Sequence, residues 1–223
     1  MQSALPYNHR ETARNTLSNE RPAARTFERA TLSRGQVLLL LGVALFAVSH
    51  FFLWWELRLN APQFPGGLFI QATSYEIQDS PKTPFDDIDQ VDGLNHYIGM
   101  MSLGDAAQVE MSLAIPAIII FTAFGFLAAF WEKKWAPLLA LPIVLFPWVY
   151  FADLFYWLRH AGHNLDPTAA ITIDPFTPVV WGTGIIAQFS TNAGFTTGWY
   201  LAVAAGISCL VGMFLATRRD VKS

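Results

Sequence analysis

The sequence predicts an all-α membrane protein with four transmembrane helices, both termini cytoplasmic, and a small extracytoplasmic cap with room for short strands. Three observations predict it. The 223 residues are 53% hydrophobic and only 14% charged, with mean hydropathy +0.34, whereas a soluble domain carries about 25% charge. Four apolar stretches are each long enough to cross a hydrocarbon core of about 30 Å as a helix. The basic residues also alternate between the two sides. The N-terminal tail holds six arginines, the turn after the second stretch holds Lys133 and Lys134, and the C-terminus holds Arg218, Arg219 and Lys222. The two remaining loops hold only Arg58, Lys82 and Arg159, and cytoplasmic loops are the ones enriched in Lys and Arg.

Residues 1–34 are polar and Arg-rich, with no apolar core available, and read as a disordered cytoplasmic tail. The next apolar run is too long for a signal h-region and lacks a small-x-small exit, so it reads as an anchor. The membrane domain covers 35–217. Its first span is placed at about 36–57, with Trp54 and Trp55 as an interfacial aromatic anchor. The outer loop 58–109 is acidic. Its segment Leu68–Ile77 has strand composition, and Phe64, Phe69, Tyr75, Ile77 and Phe85 need somewhere to pack, so a folded cap is expected. The second span is placed at 111–131. The third, 135–158, carries Pro137, Pro142 and Pro147 and is expected to be kinked. Outer loop 159–197 reads as irregular. The fourth span is 198–216, and 218–223 form a second cytoplasmic tail.

Composition and motifs also exclude functions. A net charge of -3 with no basic aromatic patch argues against nucleic acid. Cys209 is alone, so there is no disulfide framework and no CxxC or CxxCH signature. The nucleophile-elbow, phosphate-loop, dinucleotide and HExxH motifs are absent, and an enzyme is not the expected reading.

The predicted topology gathers four of the five histidines toward one face of the membrane. On a helix from Asn95 to Met101, His96 and Met100 share a face at i,i+4. If the third helix continues past Arg159, His160 and His163 share one at i,i+3, although Gly162 makes that continuation doubtful. Imidazole and thioether donors together favour copper, Cu(I) in particular. The candidate metal set is therefore His96, Met100, Met101, His160 and His163, with Met111 as a further sulfur. Against it, methionines at helix ends are usually packing, and histidines there can simply complement the helix dipole. His50 lies within the first span and is a candidate axial ligand for haem b, a proton-path group or an interhelical hydrogen-bonding group. Asp153 is the other intramembrane charge; it can pair with His50, pair with Arg159, or reach to the interface. The Asp86-Asp87-Ile88-Asp89 run lacks EF-hand spacing and reads as a solvated face.

The strings GLNHYIGM (93–100) and GHNLDP (162–167), followed by Pro175-Phe176-Thr177-Pro178, carry a resemblance. With them the chain resembles small membrane proteins of nitrous oxide reductase gene clusters, including the NosB-like proteins. The resemblance runs from the first span to the fourth and leaves out the Arg-rich tail. It implies service to an extracytoplasmic copper enzyme through copper delivery, assembly or electron supply. The expected function is an integral membrane accessory protein that binds copper transiently at an outer His/Met site, with a membrane or extracytoplasmic protein as partner. The alternatives are a membrane electron-transfer anchor, holding haem b at His50 or docking quinol, and a structural subunit of a membrane complex.

Overall fold

The computed structural model describes residues 32–186 and 189–219. Most of the predicted N-terminal tail and most of the C-terminal one lie outside these residues. The architecture corrects the all-α expectation. Among the described residues five α-helices accompany a five-stranded antiparallel sheet, and three helices rather than four are long and apolar enough to cross a membrane.

The correction begins at the first apolar stretch. Helix α1 covers Arg34–Ser49 and opens on a capping box, with Gln36 N–H donating to Ser33 Oγ and Ser33 N–H to Gln36 Oε1. It ends eight residues before the predicted span does. At about 1.5 Å per residue its 16 residues reach about 24 Å, short of a full hydrocarbon core. The helix stops because the following backbone is taken up by the sheet. Trp54 N–H donates to Ala72 O at 2.8 Å, while Thr196 N–H and Gly198 N–H donate to Trp54 O and Leu53 O. Trp54 and Trp55 are accordingly 0% and 3% exposed; they are core residues and not an interfacial anchor.

The sheet draws strands from both outer loops. Strands β1 (Trp55–Ala61), β2 (Phe64–Ala72) and β3 (Ile77–Asp79) come from the first loop. Strands β4 (Gly182–Ile186) and β5 (Phe189–Phe195) come from the second, where irregular chain was expected. The spatial order is β3-β2-β1-β5-β4, so β1 is central and pairs with β2 on one side and β5 on the other. Alternation along β1 turns Trp55, Leu57, Leu59 and Ala61 inward, as a half-buried strand requires. Helix α2 (Asp87–Tyr97) follows β3, and Asp86 of the acidic run is its N-cap. Asp86 accepts from Asp89 N–H, Asp79 from Ile88 N–H, and Asp92 from Leu103 N–H. Burial pushes the Asp92 carboxyl above the usual carboxylate range.

Helices α3 (Gln108–Phe130) and α4 (Leu141–His163) are joined by a turn and a short 3-10 segment, Ala136–Ala140, and α5 covers Thr197–Arg219. The three prolines do not share one helix interior. Pro137 and Pro142 occupy first-turn positions, where the missing N–H is not needed, and only Pro147 is internal to α4. Helices α1 and α5 run antiparallel at close range. A Cβ on Gly42 would overlap Cys209 Sγ and stand 2.9 Å from Ala205 O; one on Gly35 would meet Gly212 O at 3.0 Å. Small residues of this kind let apolar helices approach without solvent driving them together. Leu39, Val43, Phe46, Ile143 and Cys209 form the bundle core, and Leu57, Leu59, Leu68, Ile70 and Val91 form the cap core. Tyr150, Leu154 and Leu158 of α4 pack onto the cap core, so α4 joins the two.

Candidate functional site: an apolar cavity beneath the sheet

Helix α3 packs mainly on α1, and α4 mainly on α5. A wedge is therefore left between α3 and α4, and the sheet and α2 roof it over. It holds a cavity of about 660 Å³, within the range of small-molecule sites. The roof is Leu57, Leu59 and Ile70 from the sheet with Val91 and Leu94 from α2; the floor reaches Phe121 and Leu141. Leu113, Leu145 and Val149 line the cavity and are also 59%, 48% and 62% exposed. The opening therefore lies sideways, on the apolar flank of two membrane-length helices.

The polar lining is sparse. Tyr150, Asp153 and Trp157 share one face of α4 and line the cavity, as does Glu110 in the first turn of α3. Glu110 and Tyr150 both lie close enough to Asp153 to interact with its charge. Tyr150 Oη and Trp157 Nε1 are shut off from solvent and have no hydrogen-bond partner. The Trp157 indole does lie beside the Asp153 carboxylate, without hydrogen-bond geometry. Among the described lining residues there are three carboxylates, from Glu76, Glu110 and Asp153, and no Lys, Arg or His.

The predicted site residues divide around this cavity. Met100, Met101 and Met111 line it, and so does Asp153. Asp153 pairs with neither His50 nor Arg159, two of the three alternatives open to it; among the described residues the ion pair present is Lys82–Glu56, at 2.6 Å. The two sequence strings do meet. Asp166 N–H donates to Gly99 O at 2.8 Å and Ile171 N–H to Tyr97 O at 2.9 Å. Gly99 has φ +75, and a Cβ there would come within 2.7 Å of Asp166 N, so the junction needs glycine. Helix α4 also continues through Gly162 to His163, where the Phe176 carbonyl lies too close for any side chain.

The histidines, however, are used locally. Nδ1–H of His163 donates to Arg159 O at 3.0 Å, and His160 Nδ1 accepts from Asn164 at 3.1 Å. The His160 ring stacks on Tyr156, and His96 is exposed. Among the described residues no three His, Cys, Asp or Glu side chains come together as a metal-holding group. His50 caps α1 with its Nδ1 2.6 Å from Ser74 Oγ. Its ring is stacked on Trp54 and edged by Phe46 and Phe146. Its Nε2 is buried without a partner, and it does not line the cavity. Three aromatic rings thus surround the His50 imidazole.

Sequence reading missed the cavity because its walls come from segments far apart in the chain. Tyr150, Asp153 and Trp157 at i, i+3 and i+7 were the available signal: a polar stripe on an otherwise apolar helix. No protein-family profile matches the chain, and no curated protein matches it.

Proposed function

We propose that this chain is a multi-pass cell-membrane protein that admits a long-chain amphiphile sideways from the bilayer into the wedge between α3 and α4. The observation that carries the reading is the position of the opening on the apolar helix flank, with a polar stripe inside. A chain entering there leaves one hydrocarbon environment for another, while its head finds the hydrogen-bonding groups of the α4 stripe. Quinol is the occupant that matches the electron-transfer alternative. Of the roles implied by the resemblance to proteins of nitrous oxide reductase clusters, electron supply suits an apolar cavity best.

The distribution of positive charge supports an orientation. The start of α1, the Lys133-Lys134 turn and the end of α5 lie at the bundle end remote from the sheet, and they carry the excess of positive charge. In this reading that end faces the cytoplasm and the sheet cap faces out, with the short α1 making a fourth passage beside α5. A membrane or extracytoplasmic protein partner would meet the cap.

Copper remains as a second reading because Met100, Met101 and Met111 place three thioethers on one cavity, a soft donor set. Its ligands would then be the methionines, since His160 and His163 are engaged at their helix end. One preparation tests both readings. The protein is purified from membranes in mild detergent, extracted with organic solvent for lipid and quinone analysis, and assayed for metal. The first reading expects about one retained quinol or other long-chain amphiphile per chain, lost in Ala114→Trp, which puts an indole into the cavity. Retention equal to that of Ala114→Trp overturns it. Stoichiometric copper lost in a Met100→Leu, Met101→Leu, Met111→Leu triple variant would favour the second.

A further inference from the structure

The inference rests on the cavity reading above and concerns what the head of the occupant must be. Three observations bear on it. The described lining presents carboxylates from Glu76, Glu110 and Asp153 and no cationic side chain. Trp157 Nε1, a donor only, is buried without an acceptor, and Tyr150 Oη is buried without a partner of either kind. Both belong to the α4 face that carries Asp153.

An anionic head brought into this wedge would meet like charge with no cation to offset it, and desolvation would add to the cost. A head that only donates, such as an ammonium, would satisfy the carboxylates but bring no acceptor to the Trp157 N–H, which the neighbouring Asp153 does not meet in hydrogen-bond geometry. A hydroxyl does both: its oxygen accepts from Trp157 while its proton is donated to Asp153, and Tyr150 can complete the set in either direction.

We propose that the Tyr150–Asp153–Trp157 face, with Glu110 beside it, selects amphiphiles with a neutral hydroxyl head and excludes those with an anionic one. Hydroquinones and long-chain alcohols share this chemistry. Fatty acids and anionic phospholipids lack it.

The test uses the full chain in zwitterionic nanodiscs and four probes with one twelve-carbon chain: dodecanol, dodecylhydroquinone, dodecylamine and dodecanoate at a pH where it is ionised. Bound probe is counted by native mass spectrometry. Dodecanol and dodecylhydroquinone should bind, and dodecanoate should bind at least about tenfold more weakly, the scale set by leaving a buried polar group unsatisfied. Trp157→Phe and Asp153→Asn should each weaken the alcohol by roughly fivefold or more, with the dodecylamine response to Trp157→Phe smaller. A hydroquinone preference over the alcohol would identify a quinol site; equal binding would identify a general lipid-alcohol site. Dodecanoate binding as well as dodecanol, or alcohol binding unmoved by both substitutions, overturns the head-group assignment while leaving the cavity reading in place. Binding of no probe above the Ala114→Trp level overturns both.

Discussion

Asp87 is buried, 0% exposed, in an acidic run that looks solvated from its sequence. Its two oxygens account for the burial. Oδ2 accepts from Phe69 N–H at 3.0 Å, and Oδ1 accepts from Thr83 Oγ at 2.6 Å, so the carboxylate ties the start of α2 to β2. Removing it strands a strand amide beneath a helix. We expect Asp87→Ala to cost about 1–3 kcal/mol, read as a lower thermal midpoint together with faster hydrogen exchange in α2. Unchanged exchange in α2 would contradict the tie. The same scale explains the fate of the histidines. His160 and His163 were legible as polar residues at a helix end, and their local hydrogen bonds are what a helix C-terminus offers any imidazole. Which of two readings of a histidine holds depends on what approaches from elsewhere in the chain, and spacing along one helix does not contain that.

At the scale of elements, the helices α3, α4 and α5 fall within a few residues of the predicted second, third and fourth spans at most ends, because a long apolar run has few alternatives to a helix. Helix α1 differs because hydropathy reads Trp54, Trp55 and Leu57 as membrane residues, while burial in a sheet asks for the same side chains. Its packing against α5 is set by Gly42, whose absent side chain admits Cys209 and the Ala205 carbonyl. Gly42→Leu should destabilise the bundle by roughly 1–3 kcal/mol or more through overpacking against backbone. Gly66→Ala, with nothing within 4 Å of the added Cβ, should stay within about 0.5 kcal/mol. Parallel thermal unfolding in detergent compares them, and equal midpoints would deny the close approach.

The whole molecule is held together by the central strand. β1 pairs with β2 nearby in sequence and with β5 more than a hundred residues on, as in Leu57 opposite Ala193. Trp55 Nε1–H reaches Val180 O at 2.7 Å across the same gap. The cap therefore has one long-range seam that the helices must close. A fragment covering residues 55–109 keeps β1, β2, β3 and α2 but loses β5 and the α4 side chains beneath them. We expect it to show poor amide dispersion by NMR and no cooperative unfolding. A well-dispersed, cooperatively melting fragment would mean that the cap is autonomous and that α4 does not support it.

By itself the sequence determined that the chain carries helices long and apolar enough to cross a membrane, roughly where three of its four expected spans lie, and that the first loop folds. Those properties follow from runs of apolar side chains and from charges counted along the chain, and no partner is needed to read them. Tertiary structure alone decided that both loops merge into one sheet, that α1 ends at Ser49, and that the wedge between α3 and α4 is left open. Each of these depends on which distant segment satisfies a backbone hydrogen bond or fills a volume. Leu53, Trp54 and Gly99 have carbonyls that are met from Gly198, Thr196 and Asp166 respectively, and no local pattern records that meeting.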